Sequence, residues 1–270
     1  MEPAANDPIG GRLGWAVQIA RAAGDLTLRH FRRADLAVER KPDDSPVTIA
    51  DRQAEQLLRR RIAERFPDDS ILGEEFGALD GTSGYQWVLD PIDGTKSFIH
   101  GVPLYTTLVA VLRDDEPCLG VIHAPAAGET VYAAAGSGCW YASDNQPDPQ
   151  PARVSRVSTL RESLLLTSEV GAFTTERPVD ALDVYLRLER AARLARGWGD
   201  GYGYLMVATG RAEVMIDPAM NLWDTAALAP VIEEAGGDFK DWQGERTVHS
   251  ADFFATNGLV TDEVLAIIRQ

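Results

Sequence analysis

The most informative segment of this 270-residue chain reads Trp87-Val88-Leu89-Asp90-Pro91-Ile92-Asp93-Gly94-Thr95-Lys96-Ser97-Phe98. Its apolar start predicts a buried strand that ends at Asp90, and Pro91 predicts a turn because proline cannot extend a central ladder. Asp93 is a favoured helix N-cap, so Gly94 and Thr95 would open a short helix. Two carboxylates beside backbone N–H groups suit a divalent cation and the phosphate that it activates. A capped helix with an aspartate at the end of a strand is the alternative interpretation.

Three further acidic segments lie at the ends of predicted elements. They are Gly73-Glu74-Glu75 after a short apolar strand, Trp223-Asp224 before an apolar helix, and Thr48 with Asp51 at a helix start. Each has a simple structural interpretation: a solvated turn, a helix N-cap, and a capping box between Thr48 and Asp51. Their joint occurrence at element ends, where functional sites are usually built, favours one shared site.

Hydrophobic spacing predicts the order of the remaining elements. Helices are predicted over residues 10–33, 49–66, 179–194, 202–209 and 224–235, and strands over 70–73, 86–89, 105–112, 118–123, 130–134, 163–167, 212–216 and 253–255. Residues 142–152 contain three prolines and no periodicity, which predicts a surface loop or a lobe boundary. We therefore expect an N-terminal lobe over residues 1–145 and a C-terminal lobe over residues 146–270, built of mixed helices and sheets.

The composition disfavours several classes of protein. Lys and Arg number 26 and Asp and Glu 41, so the net charge of −15 is wrong for a broad nucleic-acid surface. No apolar stretch approaches the length of about 18 residues that a membrane span needs, and no signal peptide pattern opens the chain. The two cysteines, Cys118 and Cys139, form no metal-binding spacing. These features predict a cytoplasmic protein that binds neither nucleic acid nor membranes.

Taken together, the acidic motifs resemble those of the inositol monophosphatase superfamily of metal-dependent phosphatases. The matching segments are Gly73-Glu74-Glu75, Asp90-Pro91-Ile92-Asp93-Gly94-Thr95, and Trp223-Asp224 with Ala226-Ala227 and Glu234-Ala235-Gly236-Gly237. The resemblance extends from the first helix to Thr256-Asn257-Gly258. It implies an α/β fold, a layered αβαβα sandwich of the sugar-phosphatase type. It also implies that a phosphate monoester is hydrolysed by in-line attack of water, without a phosphoenzyme.

The resemblance implies a set of metal ligands that comes mostly from the N-terminal lobe. One Mg²⁺ would be bound by Glu74, Asp90 and the backbone carbonyl of Ile92. A second would be bound by Asp90, Asp93 and Asp224. Carboxylates and a carbonyl are ligands that suit Mg²⁺, and the family pattern implies two or three ions.

Catalytic and phosphate-binding residues are implied around the same segment. Thr95 and Asp51 resemble the family pair that orients and deprotonates the attacking water, with Glu74 assisting. The backbone N–H groups of Gly94 and Thr95 would bind the phosphate. Lys96 faces either the phosphate or solvent, and because lysine is mildly unfavourable near a helix N-terminus, its position there favours a nearby anion.

The segment from Trp198 to Pro218 is similar to the histidinol-phosphate phosphatase branch of the superfamily. The similarity lies in Gly199-Asp200-Gly201-Tyr202 and in Asp217, seven residues before Asp224. Inositol-specific relatives carry small uncharged residues at the first of these sites. Asp200 and Asp217 would match the ammonium and imidazole groups of histidinol phosphate, since both groups donate hydrogen bonds to carboxylates. Alternatively, Asp200 caps a helix and Asp217 merely ends a strand.

These observations predict a Mg²⁺-dependent histidinol-phosphate phosphatase of histidine biosynthesis that acts on a small phosphorylated metabolite. An inositol-1-monophosphatase, or a phosphatase for another small sugar phosphate, is the alternative within the enzyme class. A non-catalytic module that binds phosphorylated metabolites is the alternative outside it. Such a module is expected to have lost a ligand, whereas all the positions named above are intact. Because relatives are commonly dimers, we also expect a homodimer.

Overall fold

The computed structural model of the protein describes residues 8–174 and 180–270. Its α-helices are α1 (Pro8–Leu28), α2 (Ile49–Arg65), α3 (Thr95–Ile99), α4 (Ala181–Ala191), α5 (Gly201–Ala208), α6 (Leu222–Thr225), α7 (Leu228–Ala235) and α8 (Thr261–Ile268). Short 3₁₀ helices span Leu160–Glu162 and Val170–Thr174. The strands are β1 (Val38–Arg40), β2 (Pro46–Thr48), β3 (Ser70–Gly73), β4 (Gly77–Leu79), β5 (Tyr85–Asp93), β6 (Thr106–Arg113), β7 (Glu116–Ala124), β8 (Glu129–Ala134), β9 (Cys139–Ser143), β10 (Gln146–Pro151), β11 (Leu164–Leu166), β12 (Leu194–Arg196), β13 (Val214–Asp217), β14 (Asp238–Asp241) and β15 (Phe253–Thr256).

The described strands form two main sheets and a small β1–β2 ladder. The larger sheet has eight strands in the order β10-β9-β8-β7-β6-β5-β3-β4, and the smaller has five in the order β12-β11-β13-β15-β14. In the larger sheet only β3 and β5 run parallel; the other neighbours are antiparallel. Both sheets are therefore mixed or largely antiparallel, as the combination of hairpins and helices predicts.

Alternation along the strands explains how the layers stack. On β5, Trp87 belongs to the core shared with α1 and α2, whereas its neighbour Val88 packs against α5 and α7. The same α5–α7 layer contacts Met215 of the smaller sheet. The neighbouring Val214 faces α4 and α8. Since the central part of each sheet is covered on both faces, central strands such as β6 and β7 are nearly continuous apolar runs. The predicted αβαβα sandwich is confirmed.

Residues 142–152 differ from the loop that was predicted. They form the end of β9 and all of β10, an edge hairpin of the larger sheet. Pro147, Pro149 and Pro151 alternate along β10, and an edge strand tolerates proline because half of its N–H groups have no ladder partner to lose. The three prolines led to the prediction of a loop, although an edge strand accepts proline at these positions. The division into lobes at residue 145 stays a prediction; that position lies in the turn of this hairpin.

Smaller differences concern helix boundaries. The helix predicted over 224–235 is divided into α6 and α7, and the one predicted over 179–194 ends at Ala191, with Val179 outside the described residues. The sequence analysis also missed the short strands β1, β2, β4, β9, β12 and β14 and helix α8. Within the described ranges, no helix has the length and apolar character to cross a membrane.

Candidate active site

The end of β5 places two carboxylates on one face of the larger sheet. Asp90 pairs with Leu108 and Asp93 with Thr106, so three steps along β5 oppose two along β6. Side chains alternate along a strand, and residues three apart would otherwise point to opposite faces. The extra residue at Pro91 is a β-bulge that returns both aspartates to the same face. The turn predicted at Pro91 is wrong, because the strand continues through the proline as a bulge.

Carboxylates from distant parts of the chain meet beside this bulge. One carboxylate oxygen each from Asp90, Asp93 and Asp224 lie within 4.8 Å of one another. Glu74, from the turn after β3, lies close enough to this cluster that, in addition to burial, its charge helps to raise the pKa of Asp90. Hard oxygen ligands gathered in this way could hold a metal ion. The structure thus brings together the four carboxylates named as ligands, and the carbonyl of Ile92 belongs to the same bulge.

Each aspartate of this cluster uses one oxygen for a backbone N–H group. Oδ1 of Asp90 accepts from Ile92 at 3.0 Å, and Oδ2 of Asp93 accepts from the first residue of α5. Oδ2 of Asp224 accepts from Asn221 at 2.7 Å, which makes a capping box at α6. These bonds hold the side chains in place and leave the second oxygen of each aspartate for the cluster.

Helix α3 begins differently from the prediction. Gly94, not Asp93, is its N-cap, with a φ of 85° and no side chain capping the helix. Glycine is needed because this φ is left-handed and because a Cβ there would lie 2.5 Å from Oδ2 of Asp200. The missing side chain therefore lets Asp200 approach the start of α3, where the phosphate is expected to bind.

The predicted pair of Thr95 and Asp51 is in contact. The hydroxyl of Thr95 donates to the carbonyl of Ile92 at 3.0 Å and, more weakly, to Oδ1 of Asp51 at 3.4 Å. Oδ2 of the buried Asp51 accepts from the N–H and the hydroxyl of Thr48, at 2.8 and 2.6 Å. The predicted capping box is confirmed, and it leaves Oδ1 of Asp51 for Thr95.

The electrostatics of the cluster favour a bound cation. Burial, followed by repulsion from neighbouring carboxylates, raises the pKa of Asp90 and Asp93 well above their ordinary values. Burial also raises the pKa of Glu74 to about 7, although Lys41 opposes the shift. The ammonium of Lys41 lies 2.7 Å from Glu74 and 2.7 Å from Glu75. A hard divalent cation removes both the desolvation cost and the repulsion, so the donor set fits a metal ion.

The two substrate-selective candidates lie near each other but differ in their contacts. Asp217 ends β13, and both of its oxygens are engaged: Oδ1 by Thr167 and the N–H of Ser168, Oδ2 by the hydroxyls of Ser168 and Tyr204. Asp200 is the N-cap residue of α5, as the alternative interpretation predicts, but its side chain makes no capping hydrogen bond. Burial raises the pKa of Asp200 to about 6.

A single cleft connects these groups. Its volume is about 390 Å³, and its polar lining includes Ser45, Glu74, Asp93, Thr95, Lys96, Ser97, Ser168, Glu169, Asp200, Tyr204, Asp217 and Asp224. Lys96 lies at this cleft and forms an ion pair with Glu169, and both side chains are more than half exposed. The candidate metal site and the candidate selectivity residues therefore open into the same space.

Glu55 is a residue of the site that the sequence analysis did not single out. Its fully buried carboxylate accepts from the N–H groups of Glu75 and Phe76, at 2.7 and 3.2 Å. Gly73 leaves the necessary room, since a Cβ there would lie 2.0 Å from Glu55. Glu55 thereby holds the turn that carries Glu74. A glutamate next to the apolar face of a predicted helix was the signal that could have revealed it.

Comparison with known proteins agrees with this geometry. The sequence matches the profile of the Inositol monophosphatase family over residues 12–270. It is 43% identical over 236 residues to a histidinol-phosphatase from Chlorobaculum parvum, covering 86% of each chain. It is 38% identical over 254 residues to a histidinol-phosphatase from Mycobacterium tuberculosis, covering 93% of this chain and 95% of that one.

A solved structure shows the same arrangement of layers. The IMPase of Thermotoga maritima superimposes with a TM-score of 0.84 and is 33% identical, covering 96% of this chain and 97% of that one. Agreement over nearly the full length of both chains means that the fold, and not only the acidic motifs, is shared.

Proposed function

The chain belongs to the inositol monophosphatase family, and on this premise we propose that it hydrolyses histidinol phosphate to histidinol and phosphate with bound Mg²⁺. It is a phosphatase that acts on a small phosphorylated substrate. The observation that supports this most directly is the convergence of Asp90, Asp93 and Asp224 within 4.8 Å, with Asp200 beside them against Gly94. The identities of 43% and 38% to proteins named histidinol-phosphatase support the choice of substrate.

The residues that would hold Mg²⁺ are those implied by the family pattern. Glu74, Asp90 and the carbonyl of Ile92 would bind one ion, and Asp90, Asp93 and Asp224 another. When bound, Mg²⁺ supplies charge to neutralise phosphate oxygens and lowers the pKa of water. The choice of Mg²⁺ over other divalent ions, and two or three ions per site, belong to the proposal.

Thr95 and Asp51 are proposed to handle the proton of the attacking water. The hydroxyl of Thr95 accepts a hydrogen bond from the water and passes a proton to Oδ1 of Asp51, which lies 3.4 Å away. Burial raises the pKa of Asp51, which makes it a better base than an exposed aspartate. The water oxygen bonds to phosphorus as the ester P–O bond breaks, the proton of the water moves to the Thr95 hydroxyl, and the leaving alkoxide takes a proton from a solvent water molecule. Glu74 assists at the same water.

The phosphate is proposed to bind at the start of α3. The N–H groups of a first helical turn lack intrahelical acceptors, so those of Gly94 and Thr95 are available to the phosphate oxygens. Lys96, one residue further along, adds a positive charge at the cleft. Asp200 lies beyond, with Asp217 near it, and the negative charge of Asp200 favours a substrate with positively charged groups over a neutral polyol.

A substrate panel tests the proposed function. Purified protein is assayed for phosphate release from histidinol phosphate, inositol 1-phosphate and an aryl phosphate, with Mg²⁺ or with EDTA. We expect kcat/KM to be highest for histidinol phosphate and activity to vanish in EDTA. A higher kcat/KM on inositol 1-phosphate would reject the proposed substrate. Tight binding of the esters without phosphate release would instead support a non-catalytic binding module.

Replacing Asp200 tests its part in selectivity. Asp200→Asn removes the negative charge that a charged donor would bind, so we expect kcat/KM for histidinol phosphate to fall by about tenfold to a hundredfold. The aryl phosphate should be affected much less. Asp262→Asn, an exposed position on α8, is the matched control. Equal losses on both substrates would assign Asp200 a general structural role.

The remaining expectations are also proposals for this chain. A homodimer is expected from the resemblance, and sedimentation velocity of the purified protein measures it directly. A cytoplasmic location stays a prediction, which fractionation of cells tests. The division into two lobes at residue 145 also stays a prediction, which limited proteolysis tests.

A further inference from the structure

Besides the predicted metal ligands, Asp200, Asp217 and Glu169 are the acidic side chains that line the described part of the cleft. Asp217 accepts four hydrogen bonds from within the protein, two on each oxygen. A carboxylate has about four acceptor positions, so Asp217 has none left for a substrate. Its contacts instead fix Ser168, the residue next to Glu169. Recognition of a positively charged substrate therefore falls to Asp200 and Glu169.

Glu169 is held in a way that permits exchange of its partner. Its carboxylate pairs with Lys96, and the two side chains are 52% and 66% exposed. An ion pair this exposed contributes little stability and is readily given up. Lys96 directly follows Thr95, at the helix start where the phosphate is expected. A bound phosphate offers Lys96 a stronger anionic partner and thereby releases the carboxylate of Glu169.

Histidinol phosphate offers one hydrogen-bond donor group to each of these two carboxylates. In histidinol phosphate the amino group is on the carbon next to the one that carries the phosphate ester, and the imidazole lies one methylene further out. Asp200 lies against Gly94 at the phosphate end of the cleft. Glu169 also lines this cleft, where it pairs with the ammonium of Lys96.

From this geometry, and resting on the proposed function, we propose that Glu169 is a specificity residue that binds the imidazole of histidinol phosphate. Asp200 binds the ammonium group, and Asp217 is a positioning residue that acts through Ser168. An imidazole N–H, and still more an imidazolium, donates a charge-assisted hydrogen bond to a carboxylate. Glu169 lies outside the Gly199–Tyr202 motif that carries the resemblance to histidinol-phosphate phosphatases, so the motif alone does not point to it.

The experiment compares three phosphate esters that carry different combinations of the two groups at issue. Histidinol phosphate carries both the ammonium and the imidazole, O-phosphoethanolamine carries the ammonium alone, and an aryl phosphate carries neither. We expect Glu169→Gln to raise KM for histidinol phosphate by about fivefold to tenfold, with kcat nearly unchanged, since the affected carboxylate is half exposed and remote from the reacting bond. KM for the other two substrates should change less than twofold. Glu169→Asp should restore part of the loss.

Glu189→Gln, an exposed position on α4, is the matched control and should behave as the wild type. The proposal is overturned if Glu169→Gln leaves KM for histidinol phosphate at the wild-type value, or if it raises KM equally for all three substrates. Failure of the proposed function looks different. In that case the wild-type protein itself prefers inositol 1-phosphate over histidinol phosphate, and both proposals are rejected together.

Discussion

The carboxylates on the two sides of the cleft use their oxygens differently. Asp90, Asp93 and Asp224 each commit one oxygen to a backbone N–H and leave the other for the cluster. Asp217 commits both oxygens to donors of the protein. Burial raises the pKa on both sides, but of these four aspartates only the first three are left with an oxygen that no internal donor engages. A carboxylate with one oxygen free of internal donors can therefore bind a cation, whereas a carboxylate with both oxygens engaged serves to stabilise the fold.

The strongest test of this contrast is Asp93→Asn. We expect activity at saturating Mg²⁺ to fall about a thousandfold, because removing a ligand charge costs several kcal/mol of charge stabilisation. The metal-free protein should become more stable, since a buried like charge is removed while the amide oxygen still accepts from Thr106 and the start of α5. Phosphate release and thermal unfolding with and without Mg²⁺ measure the two effects.

Asp217→Asn is the counterpart from the other side of the cleft. The amide replaces a charged acceptor by a neutral one, and the hydroxyls of Ser168 and Tyr204 must turn to accept from its nitrogen, so we expect the free energy of unfolding to fall by about 1 kcal/mol in a denaturant titration. Stabilisation by Mg²⁺ should remain. If Asp93→Asn destabilised the metal-free protein more than Asp217→Asn, the contrast between the two sides would be wrong.

Glu55→Gln sharpens the contrast by changing a carboxylate that supports a ligand without being one. The amide would turn an N–H₂ group toward the donors of Glu75, Phe76 or Arg59, so the turn that carries Glu74 should shift. We expect Mg²⁺ affinity to fall about tenfold to a hundredfold, as for other residues that orient ligands. Isothermal calorimetry measures this without relying on turnover.

Glu39→Gln is a matched control for Glu55→Gln, because Glu39 also pairs with an arginine but is exposed. Its Mg²⁺ affinity should equal that of the wild type. Unchanged affinity in Glu55→Gln would show that the turn keeps its position without the buried carboxylate.

The smallest expected effect is a pH dependence of the metal-free protein. Burial raises the pKa of Glu74 from its ordinary 4.5 to about 7, so the folded state binds more protons than the unfolded state between these values. The contribution of Glu74 to the free energy of unfolding is therefore greatest below about pH 4.5, and it is lost as the pH rises toward 7. Thermal unfolding in EDTA should show this fall, and Glu74→Gln should make it shallower, since the raised pKa values of Asp90, Asp93 and Asp200 contribute in the same direction. With Mg²⁺ the trend should reverse, since the metal needs the deprotonated carboxylate.

Local motifs made much of the fold predictable. The continuous apolar runs of β6 and β7 and the spacing of α2 identify buried elements without any tertiary information. Prediction failed where long-range pairing overrides local preference. Pro91 is accommodated by a bulge against β6, and the prolines of β10 are accommodated at a sheet edge. In both cases the pairing with a neighbouring strand, and not the proline itself, decides whether the segment forms a strand.

For the site, motifs were enough to name the four acidic ligand candidates, and the fold brings them together. The sequence could not show whether each acidic residue has a structural role, such as helix capping, or a role in the site. Asp51 and Asp224 take part in capping boxes and still present an oxygen to the site. A carboxylate has two oxygens, so the structural and the functional interpretations were compatible from the start.

The amino-acid sequence by itself determined the layer architecture, the family and the acidic residues that meet in the cleft, because these depend on hydrophobic periodicity and on short motifs. Only the tertiary structure decided which carboxylates keep an acceptor free. That property depends on donors contributed by other elements, such as the start of α5 for Asp93 and Ser168 for Asp217. Hydrogen-bond saturation is a matter of three-dimensional neighbours, which residue type and spacing do not specify.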